Sequence, residues 1–184
     1  MLRLDQSHLF RYIHTDRFIT LEKINAYKIG PGDGVFLIGR FVNHEGRDSN
    51  TPAVRFGNIA MMPGPPVERQ DGSLQDSFLV DMRSISGYSG SPAFTYIPAP
   101  ELGFRRIRHA NEPRTDIGPW LLGVDWGHLQ RVEDVVYRNG GKHPDGLCVS
   151  SNTGMAGIVP AWKLYDLLYS EGLQAERKEL DKRY

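Results

Sequence analysis

Gly87-Tyr88-Ser89-Gly90-Ser91-Pro92-Ala93-Phe94-Thr95-Tyr96-Ile97 is the stretch on which the fold turns. A serine stands between glycines, which take backbone angles that other residues avoid. No helical pattern follows it. Pro92 opens a β-type run instead, and Ser77 to Met82 (SFLVDM) supplies another just upstream. The serine therefore belongs to a loop between two strands. That placement disfavours the strand-to-helix elbow of Gly-x-Ser-x-Gly hydrolases, whose second glycine is replaced here by Ser91.

Four further β-type runs lie outward from this pair: Val35 to Phe41 (VFLIGRF), Ala53 to Met61 (AVRFGNIAM), Trp120 to Trp126 (WLLGVDW) and Met155 to Val159 (MAGIV). Strand alternation puts Val54 and Phe56 on one face and Arg55 on the other. It also puts Trp120, Leu122, Val124 and Trp126 on a common face. The 20 glycines and 12 prolines are spread between the runs as turn signals. Six short strands with such turns predict an all-β fold, closed as a six-stranded antiparallel β-barrel. After Pro160, Ala161 to Ser170 (AWKLYDLLYS) carries Trp162, Tyr165, Leu168 and Tyr169 at helical spacing, with Gly172 as a stop, which predicts a C-terminal helix. Residues 1–29 read as an N-terminal extension or the remnant of an inter-barrel segment. Residues 30–172 read as barrel and helix, and 173–184 as a charged tail. Residues 99–118 and 128–150 read as polar loops.

Lys+Arg and Asp+Glu are both 22, so the formal net charge is +0, which favours neither nucleic acid nor an anionic membrane surface as partner. No apolar run is long enough to span a bilayer, and the N-terminus lacks the apolar core of a signal peptide. The one cysteine, Cys148, cannot form an internal disulfide, which points to a reducing, cytoplasmic setting. Its apolar context, GLCVSS, predicts a buried structural thiol. His109 and His128 have no spaced His or Cys partners, so no metal is expected, and no cofactor motif is present. Asn139-Gly140-Gly141-Lys142 lacks the spacing of a phosphate loop, and the basic segment 105–109 reads as a solvated loop.

Taken in order, the segments resemble the trypsin-like (chymotrypsin-fold, PA clan) serine peptidases, closest in style to bacterial HtrA-type members. Gly32-Asp33-Gly34-Val-Phe-Leu-Ile38-Gly39 is similar to the opening of that family's second barrel, and the strand containing Gly57-Asn58-Ile59 to the next one. GYSGSPAF is similar to the family's nucleophile signature. Leu122-Gly123-Val124-Asp125-Trp126-Gly127 is similar to its substrate-pairing strand. Gly154-Met-Ala-Gly157-Ile-Val-Pro160 is similar to its last strand before the helix. The resemblance implies a serine endopeptidase acting on a peptide or protein substrate, with Ser89 as nucleophile. The N–H groups of Gly87 and Ser89 would then form the oxyanion hole. Asp125, Trp126 and Gly127 would line the substrate-binding edge. Arg83 would sit at the base of the primary specificity pocket and favour an acidic or polar residue before the cleaved bond.

Two positions depart from the family. Tyr88 replaces the aspartate that pairs with a new N-terminus in cleavage-activated members, so such activation is not expected. Asp125 stands where a small Ser or Thr is usual; it reads either as a partner for a catalytic imidazole or as a hydrogen-bonded strand-edge aspartate. The family's His and Asp belong to a first barrel and its junction, and residues before Gly30 are too few to build one. His8, His14 and His44 are the histidines before Ser89, and none has the family's Thr-Ala-x-His context; Asp5 and Asp16 have no supporting motif either. The expectation is a second barrel, truncated with respect to the triad; the alternative is a catalytically inactive peptide-binding domain of the same fold.

Overall fold

The computed structural model describes residues 12–40, 51–69, 71–82, 87–97 and 118–183. Six strands close into an antiparallel barrel. They are β1 (Gly34–Arg40), β2 (Pro52–Met61), β5 (Phe78–Asp81), β6 (Pro92–Thr95), β7 (Trp120–Asp134) and β8 (Cys148–Pro160). The hydrogen-bonded order is β1-β2-β5-β8-β7-β6, with β6 returning to β1. A two-stranded hairpin, β3 (Val67–Glu68) and β4 (Leu74–Gln75), interrupts the path from β2 to β5.

The interior follows the period of two that strands impose. Val35 and Leu37 of β1, Phe78 and Val80 of β5, and Ala156 and Ile158 of β8 are all fully buried, as are Ile59, Ala93 and Leu122. The first turn is tied by its own polar groups. Gly30 N–H donates to Asp33 Oδ2 (2.7 Å), and Gly32, at φ +94°, donates to the Ile59 carbonyl (2.8 Å).

The faces of β2 are the reverse of the apolar-inward arrangement. Val54 and Phe56 are 50% and 68% exposed. Arg55 points the other way, with its guanidinium carbon 4.8 Å from the centre of the buried Tyr88 ring. Register explains the choice. Phe56 pairs with Phe36, and Phe36 pairs with Phe94 on its other side. The rings meet on the outer wall, Phe36 lying 6.2 Å from Phe56 and 5.2 Å from Phe94.

Residues 12–29 hold a helix, α1 (Leu21–Tyr27), whose N-cap Thr20 accepts the Lys23 N–H at 3.2 Å. Phe18 bridges to Leu121 of β7, and Ile19 N–H donates to the Leu121 carbonyl (2.9 Å). Tyr27 packs against Trp120, ring centres 4.7 Å apart and planes tilted by 40°. Phe18, Ile19, Ile24 and Ile29 thus join the barrel's core.

Pro160 leads into α2 (Ala161–Leu168), which buries Ala161 and sets Trp162 edge-on against Phe78 at 5.6 Å. A charged helix, α3 (Glu171–Arg183), follows. No helix among the described residues is long and apolar enough to cross a membrane.

The span 128–150 differs most from the polar loop expected. β7 runs on to Asp134 and pairs with β8 from Gln130↔Asn152 to Asp134↔Cys148. This two-stranded ribbon extends beyond the barrel. Its apolar residues are sparse and open to solvent: Val132, Val136, Leu147 and Val149 are each at least half exposed. Cys148 is exposed on it, not buried. The GLCVSS context does not bury its cysteine because no layer among the described residues packs over the ribbon there.

Candidate active site

Ser89 lies at the tip of the loop between β5 and β6. Gly87 and Gly90 take φ of +99° and +88°, a region that side chains disfavour, so the turn depends on glycine at both places. Ser91 N–H closes the turn on the Tyr88 carbonyl (2.9 Å). Tyr88 points inward, with 1% of its surface exposed, and packs on Gly39 of β1, where an added Cβ would come within 2.5 Å of the ring. The buried tyrosine anchors the loop while Ser89 stays exposed.

The loop is stitched to β7. Gly90 N–H donates to the Asp125 carbonyl (2.7 Å), and Asp125 N–H donates to the Ser91 carbonyl (2.9 Å). Ser89 Oγ donates to the Trp126 carbonyl at 3.4 Å. These bonds bring the serine against the Trp126–Gly127 edge, thirty-seven residues along the chain from it. Gly127, at φ +149°, leaves space there; a Cβ on it would lie 3.9 Å from Ser89 Oγ.

Trp126 is held by its own contacts. Its indole N–H donates to Ser77 Oγ (2.8 Å), and the ring lies flat over Gly157, where any Cβ would clash at 2.2 Å. The β3–β4 hairpin supplies the facing wall. Arg69 reaches over the indole, its guanidinium carbon 5.1 Å from the ring. The loop carrying it is braced by Asp71, which accepts from both Ser73 Oγ (2.5 Å) and Ser73 N–H (3.0 Å). The Ser73 hydroxyl, first, and its N–H hold the Asp71 carboxyl below the usual range.

A cleft of about 380 Å³ results, with Gly87, Ser89, Trp126 and Gly127 on one side and Arg69 and Asp71 opposite. His128 and Gln130 complete it. Gln130 accepts from Ser150 Oγ (2.6 Å) and sets its amide nitrogen 3.4 Å from His128 Nε2. Sequence reasoning weighed His128 only as a metal ligand. The signal that would have found it is its place directly after Trp126-Gly127, on a strand that does not end there.

Asp125 is beneath the cleft, not in its lining. It pairs with Ile158 and shares that residue's buried face, with 1% of its surface exposed. Its Oδ1 accepts the Gly127 N–H (3.0 Å); its Oδ2 is buried and finds no hydrogen-bond partner among the described residues. Loss of hydration raises its pKa to about 6, and the Gly127 N–H opposes the rise.

Of the residues expected in the site, Ser89, Gly87, Trp126 and Gly127 meet in the cleft, and Asp125 supports them from below. Arg83 lies outside the described residues, as do His8, His44, Asp5 and the basic segment 105–109. His14 is exposed and packs against Tyr12 (4.8 Å). Among the described residues no three His, Cys, Asp or Glu side chains gather as a metal site. Compared with known proteins, the chain matches no family model, no curated protein and no solved structure.

Proposed function

We propose that this chain is the nucleophile-bearing barrel of a trypsin-like serine endopeptidase. The observation that carries the reading is the meeting of Ser89 Oγ with the Trp126–Gly127 edge in one cleft. Support comes also from the strand order 1-2-5-8-7-6 with a helix after the last strand. The serine stands between the third and fourth barrel strands, and the substrate-pairing residues on the fifth. In this reading a histidine carried by a first barrel, which this chain does not supply, takes the Ser89 hydroxyl proton as Ser89 attacks a peptide carbonyl. The histidine passes that proton to the leaving amine, while the N–H groups of Gly87 and Ser89 receive the oxyanion. An extended peptide pairs with β7 as an added strand. β6 pairs with β7 only as far as Val124 and the nucleophile loop bonds the Asp125 backbone, so among the described residues no strand lies beside the edge from Trp126 onward.

The second reading is a peptide-binding domain without hydrolysis. It is favoured by the bond Ser89 Oγ makes, which runs to a backbone carbonyl rather than to an imidazole.

A peptide carrying a C-terminal boronic acid separates the two, because boron forms a tetrahedral adduct only with a competent nucleophile. Measured with the histidine-bearing first barrel present, the peptidase reading expects the boronate to bind at least about tenfold tighter than the same peptide amide, and Ser89→Ala to abolish the difference. Equal binding of both peptides, unchanged in Ser89→Ala, selects the binding domain. No binding of either peptide overturns both readings.

A further inference from the structure

The β7 edge at the cleft satisfies its own hydrogen bonds. Ser89 Oγ occupies the Trp126 carbonyl (3.4 Å), and Asp125 Oδ1 occupies the Gly127 N–H (3.0 Å). The second contact is the stronger kind, since an ionised acceptor roughly doubles a hydrogen bond. It is also sheltered, because Asp125 is buried and its backbone is bonded on both sides to the nucleophile loop. β7 is irregular at this point, with a register shift against β8 between Asp125 and Gly127. An extended peptide adding to the edge needs the same N–H for one of its carbonyls.

We infer that Asp125 is a built-in occupant of the peptide-binding edge: its carboxylate holds the Gly127 N–H, and a peptide pairs there only by displacing it. This rests on the reading of β7 as the substrate-pairing strand. Asp125 is then a specificity-determining residue that sets a threshold. Short or weakly held peptides leave the edge closed. Peptides with enough contacts elsewhere in the cleft open it.

The test measures binding of extended peptide amides to the 184-residue chain, to Asp125→Ala and to Asp125→Ser. The peptide series replaces each internal carbonyl in turn by an alkene isostere. Vacating the edge is expected to tighten the parent peptide by about tenfold or more. One member of the series, lacking the carbonyl that meets Gly127, is expected to gain nothing. If the variants bind the parent no more tightly than the wild type does, the inference is overturned while the peptide edge stands. A uniform gain across the series overturns it too. If no chain binds any peptide, the proposed function falls, and the inference with it. A measurement on the wild type covers misfolded variants. The scalar coupling across the hydrogen bond from the Gly127 nitrogen to the Asp125 carboxyl carbon should be present in the free chain and lost with peptide bound. Its persistence in the complex overturns the inference.

Discussion

Burial holds the Asp125 proton to about pH 6 in the folded chain, against 3.8 for an ordinary aspartate. Between those values the folded state binds a proton that the unfolded state has released. Stability from this group is therefore complete below about pH 4 and is lost as the pH rises through about 6. The shift of roughly two units corresponds to about 3 kcal/mol. Asp125→Asn removes the titration but keeps an acceptor for the Gly127 N–H. Denaturant unfolding at pH 4 and pH 7 should show the stability of the variant, relative to wild type, rising by about 2 kcal/mol over the interval. A relative stability that stays constant would mean that the carboxyl is better solvated than its burial implies. Ser89 was legible in the sequence because its flanking glycines leave a chemical trace at fixed offsets. The setting of Asp125 was not, since its burial depends on Gly90, Ser91 and Ile158, all distant in sequence. His128 escaped because β7 was expected to end at Trp126, which left the histidine in a loop.

The six barrel strands could be read from sequence, because each is a short β-type run with turn residues at its ends, even in β2, whose Val54 and Phe56 face outward. The β7–β8 ribbon could not. Neither of its faces is packed by the described residues, so Val132 and Val149 stand among Gln130, Arg131, Glu133 and Ser150 without an alternation to betray a strand. The short β3–β4 hairpin has only two residues per strand, too few for any period. It nonetheless positions Arg69 over Trp126, so the unreadable elements are the ones that wall the cleft. An isolated two-stranded ribbon gains little from burial and keeps its side chains in solvent. Cys148, the chain's one thiol, reports on it directly. A maleimide should modify one thiol per native chain, at a rate within about tenfold of that in denaturant. Modification only after unfolding would mean that the ribbon is covered.

At the scale of the molecule, closing the barrel decides which apolar residues are core. Register with β1 and β6 turns Phe56 outward, although local alternation alone would have allowed it to face in. Closure also leaves an edge of β7 unpaired ahead of Gly123, where the pairing with β8 begins. The segment Phe18–Ile19 takes that edge: Phe18 forms a parallel bridge with Leu121, and Ile19 N–H donates to the Leu121 carbonyl, with α1 beyond. Leu121 is buried there to 3% exposure. The N-terminal segment carries a mixed pattern in sequence because it pairs with a short stretch of one strand's edge rather than packing a whole face on a sheet. It is nevertheless continuous with the core that supports the cleft, since Trp120 and Leu122 lie on the same strand as Trp126 and Gly127. Ile19 is the sharpest probe, being fully buried in a segment with no strand or helix of its own at that point. Ile19→Ala should lower the unfolding free energy by about 2–5 kcal/mol, the cost of an unfilled core cavity. The loss should appear in one cooperative transition followed by both Trp fluorescence and far-ultraviolet circular dichroism. If the substitution costs less than about 0.5 kcal/mol, the segment is a surface attachment and the barrel's core ends at Leu121.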